Sequence, residues 1–128
     1  MEKGIKGFSE IVVTDELTAA NVGSGLLPVY GTPYMVALME NTAMNAVAPY
    51  LESGKGTVGI LINVEHTAAT PVGMKVSCEA ELVEVDGRRL IFDIKAFDEA
   101  GEIGHARHER FVIDSEKFLA KTNAKLTK

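Results

Sequence analysis

Hydrophobic and polar positions follow a helical period between residues 31 and 51. The apolar side chains of one helix face recur at Val36, Ala43, Val47 and Leu51. Thr32 followed by Pro33 is typical of a helix start, because a threonine hydroxyl can accept an unpaired backbone N–H and proline has no N–H to leave unpaired. The pattern predicts one long central helix with Thr32 as its N-cap.

Glu40 interrupts this apolar face one turn after Val36 and one turn before Ala43. An ionised carboxylate in apolar surroundings is costly unless it is paired or hydrogen-bonded. Glu40 is therefore predicted to have a partner or a chemical role. The alternative is a position at the rim of the helix face, since long carboxylate side chains are rarely fully buried. For Thr32 the alternative is a helix cap without further role.

Alternating apolar and polar positions predict five strands around this helix. They lie at residues 8–14, 57–66, 74–82, 90–96 and 103–113. Asp86-Gly87 is a two-residue hairpin signal, a glycine-rich loop at residues 21–30 precedes the helix, and a short helix from Ser115 closes the chain. A long helix against an antiparallel sheet of about five strands is an α+β arrangement. With no repeat or linker in the sequence, we expect one domain, residues 1–128.

The second predicted strand ends in a histidine. The positions that alternate with the same phase as this histidine are Val58, Ile60, Ile62, Val64 and His66. His66 is therefore expected to point toward the helix and to come within reach of Glu40. Gly59, inside this strand, indicates the close approach of a ligand or another backbone, or packing against the helix.

The last predicted strand combines small and polar residues on one face. Its members are Gly104, Ala106, His108 and Arg110. Such a face suits a surface on which something packs or binds. A solvated Arg110 is the alternative, because exposed arginine is common.

Charge and cysteine content exclude several classes of function. The net charge of −5 and the scattered basic residues argue against a nucleic-acid partner. The single cysteine, Cys78, excludes an intrachain disulfide, and the three histidines offer no recognisable metal-ligand spacing. Neither a signal-peptide pattern nor a membrane-spanning run occurs, so we expect a cytoplasmic protein with no membrane partner and no metal.

Thr32, Glu40 and His66 together supply the groups that acyl transfer needs. An imidazole moves protons near neutral pH, a carboxylate can attack or activate water, and a hydroxyl can position either. Many sequences contain these three residue types, so the trio alone predicts little.

The chain resembles the fluoroacetyl-CoA thioesterase family of the hot-dog fold. The segments that carry the resemblance are Met39-Glu40, Ala48-Pro49-Tyr50-Leu51-Glu52, His66-Thr67-Ala68-Ala69-Thr70-Pro71, Glu81-Leu82, Gly87-Arg88-Arg89-Leu90, Glu102-Ile103-Gly104 and His108-Glu109-Arg110. The resemblance implies hydrolysis of an acyl-CoA thioester, with coenzyme A as part of the substrate and no other cofactor. It also implies a homodimer whose sheets join edge to edge and whose sites lie at the subunit interface.

The resemblance assigns site residues position by position. The family's catalytic threonine, glutamate and histidine correspond to Thr32, Glu40 and His66. Its glycine near the thioester carbonyl corresponds to Gly59, and an arginine associated with the site corresponds to Arg110.

One segment departs from the family. Residues 23–28, Gly-Ser-Gly-Leu-Leu-Pro, contain no phenylalanine, whereas the fluoroacetyl-specific enzyme has a longer lid with phenylalanines that shape its pocket. We therefore expect a short-chain or broader acyl-CoA thioesterase. The alternatives are a non-catalytic acyl-CoA or acyl-carrier binding protein, and a hot-dog hydratase. The hydratase is disfavoured because no histidine occurs between residues 1 and 65.

Overall fold

Five strands form one antiparallel sheet in the computed structural model, which describes residues 1–127. They are β1 (Lys6–Val12), β2 (Lys55–His66), β3 (Lys75–Asp86), β4 (Arg89–Asp98) and β5 (Gly101–Asp114). Their order in the sheet is β1-β3-β4-β5-β2, so β1 and β2 are its two edges. The predicted α+β architecture is confirmed. Lys128, the end of the predicted domain, lies outside the described residues.

In the described part of the chain, three α-helices accompany the sheet. They are α1 (Ala19–Val22), α2 (Thr32–Val47) and α3 (Ser115–Asn123). The central helix α2 ends four residues earlier than predicted and continues as a single 3-10 turn at Ala48–Tyr50, where Pro49 cannot extend the α-helical hydrogen bonding. Among residues 1–127, no helix is both long and apolar enough to cross a membrane.

The N-terminus of α2 differs from the prediction. Gly31 is the N-cap, and its carbonyl accepts the backbone N–H groups of Tyr34 and Met35 at 3.0 and 3.1 Å. Thr32 is the first helical residue, and its hydroxyl caps no backbone group. The hydroxyl of Thr32 is left free for a tertiary contact because Gly31 already closes the first turn through its carbonyl.

The buried face of α2 is also rotated from the predicted one. Its buried residues are Met35, Met39, Thr42, Ala43 and Val47. Val36 and Glu40 are only half-buried, because each helical residue is turned by roughly 100° from the one before it. The prediction that Glu40 lies within the apolar face was wrong, and the alternative position at its rim is the observed one.

The core lies between α2 and the inner sides of the central strands. β3 contributes Val76, Cys78, Ala80 and Leu82, and β4 contributes Leu90, Phe92, Ile94 and Ala96. Cys78 is fully buried as a free thiol. Burial raises its pKa, so the thiol stays protonated near neutral pH.

A β-bulge in β2 changes which residues face the helix. The register between β2 and β5 shifts between Gly59 and Leu61, so Gly59 pairs with Arg110 while Ile62 pairs with His108. The prediction that Val58 and Ile60 share the face of His66 was therefore wrong. After the bulge, the side chains on this face are those of Ile62, Val64 and His66. Before the bulge, Gly59 lies on the same face.

Gly104 of β5 is needed where the helix approaches the sheet beside the end of β2. It pairs with His66, and a Cβ here would lie 2.7 Å from the carbonyl oxygen of Glu65 and 2.9 Å from Met35 Sδ. The first of these atoms belongs to the backbone and cannot turn aside. Residue 104 must therefore lack a side chain.

We expect Gly104→Ala to lower the free energy of unfolding by about 1–3 kcal/mol through this overpacking. Urea denaturation measures the change. Lys95→Ala, on the exposed face of the neighbouring strand, is the control and should change stability by less than about 0.5 kcal/mol. Equal stabilities of the two variants would contradict the packing described for Gly104.

Candidate functional site

Thr32 and His66 are brought together at one end of the sheet. The Thr32 hydroxyl, at the start of α2, is hydrogen-bonded to His66 Nδ1, at the end of β2, at 2.7 Å. The ring of Tyr30 meets the imidazole edge-on, with 6.4 Å between the ring centroids. Burial lowers the pKa of His66, which favours the neutral ring. Its Nε2 is buried and has no hydrogen-bond partner among the described residues.

Glu40 reaches β2 at the bulge. A Cβ on Gly59 would lie 3.1 Å from Glu40 Oε2 and 3.3 Å from His108 Cε1. Both contacts are tighter than ordinary van der Waals distance, so the carboxylate occupies space that a side chain at position 59 would fill. Glycine at this position therefore marks a close approach of the Glu40 carboxylate and the His108 ring to β2.

Arg110 is held inside the protein by three hydrogen bonds. Its Nε donates to the Thr57 hydroxyl at 2.8 Å, its Nη2 donates to the Thr57 carbonyl at 3.0 Å, and its Nη1 donates to His108 Nε2 at 3.1 Å. Arg110 is only 6% exposed, so the solvated alternative was wrong.

The charged groups of Arg110 and Glu40 both lie close to Gly59. The Cβ position of Gly59 that lies 3.1 Å from Glu40 Oε2 is also 3.5 Å from Arg110 Nη1. Burial lowers the pKa of Arg110, and the negative charge of Glu40 opposes that effect. The negative charge of Glu40 thus offsets part of the cost of burying the guanidinium.

The two groups of residues lie apart within one chain. Thr32 and Glu40 are separated by two turns of α2, or about 12 Å, and Gly59 and His66 by roughly 20 Å of β2. No hydrogen bond joins Glu40 to Thr32 or His66 in residues 1–127. The expectation that His66 reaches Glu40 is not met within a single chain.

Two residues around Arg110 were not predicted as part of this site. Thr57 and His108 supply all three of its hydrogen-bond acceptors. The alternation of the last strand already placed His108 on the face of Arg110. Thr57 could be found only through the register that the bulge sets.

The third histidine takes no part in this arrangement. His105 alternates with His108 along β5 and lies within 3.1 Å of Glu65 and 3.4 Å of Glu102. Across residues 1–127, no group of three or more histidine, cysteine or acidic side chains is arranged to hold a metal ion.

The sequence profile of the FlK family, the fluoroacetyl-CoA-specific thioesterases, matches residues 13–116. The chain belongs to this family. It is 52% identical over 97 residues to the fluoroacetyl-CoA thioesterase of Streptantibioticus cattleyicolor, a match that covers 76% of this chain and 70% of that protein.

The backbone of this chain superposes closely on solved structures of thioesterases. The fluoroacetyl-CoA thioesterase FlK superposes with a TM-score of 0.92 at 42% identity, covering 98% of this chain and 97% of that one. A Thermus thermophilus member of the thioesterase superfamily gives 0.91 at 30% identity, covering 98% and 93%. Membership in the family confirms the predicted hot-dog fold and the prediction of a thioester hydrolase.

The half-buried His66 and the buried His108 should make stability depend on pH. Burial lowers the pKa of His66 and of His108 below the ordinary 6.5. In the unfolded chain both titrate normally, so below about pH 6.5 the unfolded state binds more protons than the folded state. The free energy of unfolding should therefore fall as the pH decreases from about 7 toward about 5.

Urea denaturation across this range tests the expectation. His108→Gln should make the dependence on pH shallower, because one of the two titrating groups is gone. Ile62→Val, on the same face, is the control and should lower the free energy of unfolding by about 1 kcal/mol equally at each pH. A pH dependence in His108→Gln as steep as in the wild type would remove His108 from this effect.

Proposed function

We propose that this chain hydrolyses the thioester bond of a short acyl-CoA, releasing a free acid and CoA. The observation that carries the proposal is the half-buried Glu40 carboxylate packed against Gly59 beside the buried Arg110 guanidinium. A carboxylate in this setting is oriented for attack on an acyl carbon or on a water beside it. Family membership supports the same reaction.

Each site residue has a role in this proposal. Glu40 is the nucleophile or the general base, and the Gly59 backbone N–H polarises the thioester carbonyl. Arg110 contributes positive charge for substrate binding beside the carboxylate. The C–S bond breaks as oxygen, from water in the overall reaction, bonds to the acyl carbon.

The thiolate that leaves is stabilised by a hydrogen bond from His66 in this proposal, and the proton it finally takes up is the one that the attacking water releases. If the Thr32 hydroxyl donates to Nδ1, the hydrogen of the neutral ring is on Nε2, the atom that has no protein partner. Thr32 thus positions His66 and selects its tautomer. This arrangement supports a hydrogen bond from Nε2–H that stabilises the charge developing on the departing sulfur.

We also propose that the active unit is a homodimer with its sites between the subunits. The edge strand β2 exposes Ile60 and Leu61 by 52% and 44%, and an unpaired edge invites pairing with a second strand. An antiparallel pairing of two β2 strands centred between Ile62 and Asn63 would bring Gly59 opposite His66 of the partner subunit. Such a dimer would unite the two groups that lie apart in one chain.

The loop before α2 is proposed to influence the choice of acyl group. Its Leu26 and Leu27 are 95% and 66% exposed. Backbone hydrogen bonds hold this loop, from Ala20 to Leu27 and from Ala19 to Val29. Exposed leucines on a loop that is fixed by backbone hydrogen bonds could form an apolar cover over a short acyl chain.

Two predictions from the sequence stay predictions. They are a single domain over residues 1–128 and a cytoplasmic location. A soluble pool of acyl-CoA as the substrate is compatible with both.

The proposed reaction is tested with thiol release from acetyl-, fluoroacetyl-, butyryl- and phenylacetyl-CoA. Glu40→Gln should lower kcat by roughly 10²–10⁴-fold, because the amide can neither attack nor accept a proton. Glu16→Gln, on an exposed turn, is the matched control and should leave turnover unchanged. Binding of acyl-CoA without thiol release by the wild type would support a non-catalytic binding protein instead.

The dimeric site is tested by mixing two inactive variants. After subunit exchange, Glu40→Gln and His66→Ala should recover about a quarter of wild-type activity, because half of the dimers are mixed and each has one intact site. Glu40→Gln mixed with Arg110→Ala is the control and should recover nothing, since both residues belong to the same half-site. No recovery in the first mixture would place all the catalytic residues in one chain.

A further inference from the structure

The imidazole of His108 is buried beneath the proposed site without a role in the chemistry above. It is 1% exposed, and the Phe92 ring lies on its core side with 6.1 Å between the ring centroids. Its Nδ1 is 2.7 Å from the Leu61 carbonyl oxygen and its Nε2 is 3.1 Å from Arg110 Nη1. Both ring nitrogens are therefore committed to partners.

These partners define the protonation state of the ring. The Leu61 carbonyl can only accept a hydrogen bond, so Nδ1 must donate and carry the hydrogen. The guanidinium of Arg110 can only donate, so Nε2 must accept and carry none. His108 is therefore neutral and in a single tautomer, which its burial also favours.

The two hydrogen bonds of His108 link two different parts of the site. Leu61 directly follows the bulge that begins at Gly59, so the Nδ1 bond fixes the backbone of β2 next to this glycine. The Nε2 bond fixes the guanidinium of Arg110 on β5. The charged groups near the ring are Glu40 on α2 and both Glu109 and Arg110 on β5.

We propose that His108 is a positioning residue for the hydrolysis. It holds the Arg110 guanidinium and the β2 bulge in the geometry in which both flank the Glu40 carboxylate. This inference rests on the proposed function for its kinetic consequence, but not for its structural one. In this role His108 acts through Arg110 and the β2 bulge and not as a catalytic group.

Two substitutions separate the two hydrogen bonds. The side-chain amide nitrogen of His108→Asn can occupy the place of Nδ1 and donate to Leu61, but it offers Arg110 no acceptor. The side-chain carbonyl of His108→Gln can occupy the place of Nε2 and accept from Arg110. We expect His108→Asn to lower kcat about 10-fold, which is a usual size for the coupling between two side chains in contact, here His108 and Arg110. The kcat of His108→Gln should stay closer to that of the wild type.

A double-mutant cycle with Arg110→Lys distinguishes positioning from a general loss of structure. If His108 acts through Arg110, adding His108→Asn to Arg110→Lys should cost little further activity. Fold-losses that multiply in the double variant would overturn the proposal. Thermal unfolding of each variant accompanies the kinetics, so that a loss of folded protein is not mistaken for a loss of rate.

A readout that needs no turnover separates this proposal from the proposed function. Nitrogen chemical shifts of wild-type His108 should show one neutral tautomer with hydrogen on Nδ1. The Arg110 Nη1–H signal should persist in His108→Gln and broaden in His108→Asn, because Nη1 is the atom that donates to His108. Hydrogen on Nε2 in the wild type, or an unchanged Arg110 signal in His108→Asn, would overturn the positioning role even if the enzyme is active. Absence of Glu40-dependent turnover with these signals as expected would overturn only the proposed function.

Discussion

The Glu40 carboxylate packs closely against β2 at residue 59, which has no side chain. The space that a Cβ would need there is already bordered by Glu40 Oε2 at 3.1 Å, His108 Cε1 at 3.3 Å and Arg110 Nη1 at 3.5 Å. Three side chains from α2 and β5 thus converge on one strand glycine. The bulge beside it places Gly59 on the face where these side chains meet, and a Cβ there would require the Glu40 carboxylate and the His108 ring to shift by a few tenths of an ångström.

Much of the fold could be predicted because most of its elements follow from periodic patterns of residues close together in the chain. The alternation in β3 and β4, the Asp86-Gly87 turn and the helical period of α2 each depend on residues close together in the chain. The bulge in β2 could not be found in this way, since an extra residue in a strand leaves no mark in an otherwise apolar run. The buried face of α2 was predicted wrongly for a related reason. Two methionines, Met35 and Met39, fill the core, whereas Val36, which the apolar pattern placed on the buried face, does not.

The sequence predicted which residues belong to the candidate site but not how they are arranged in space. Resemblance to the family assigned catalytic roles to Thr32, Glu40 and His66. The shared face of β5 indicated that Arg110 lies beside other polar side chains. Neither source could reveal that the Thr32–His66 pair and the Glu40 carboxylate lie at different points along α2. Distances between residues far apart in sequence depend on how helix and strand cross, and a site shared between two subunits depends on a second chain as well.

The buried state of Cys78 has a practical consequence for studying this protein. It is the only cysteine in the sequence, it is inaccessible in the folded state, and burial raises its pKa. A thiol-reactive dye will therefore react with free CoA in solution before it reacts with the folded protein. The same thiol becomes reactive when the sheet opens, so the rate of labelling at Cys78 reports how often the core of the native protein is exposed to solvent.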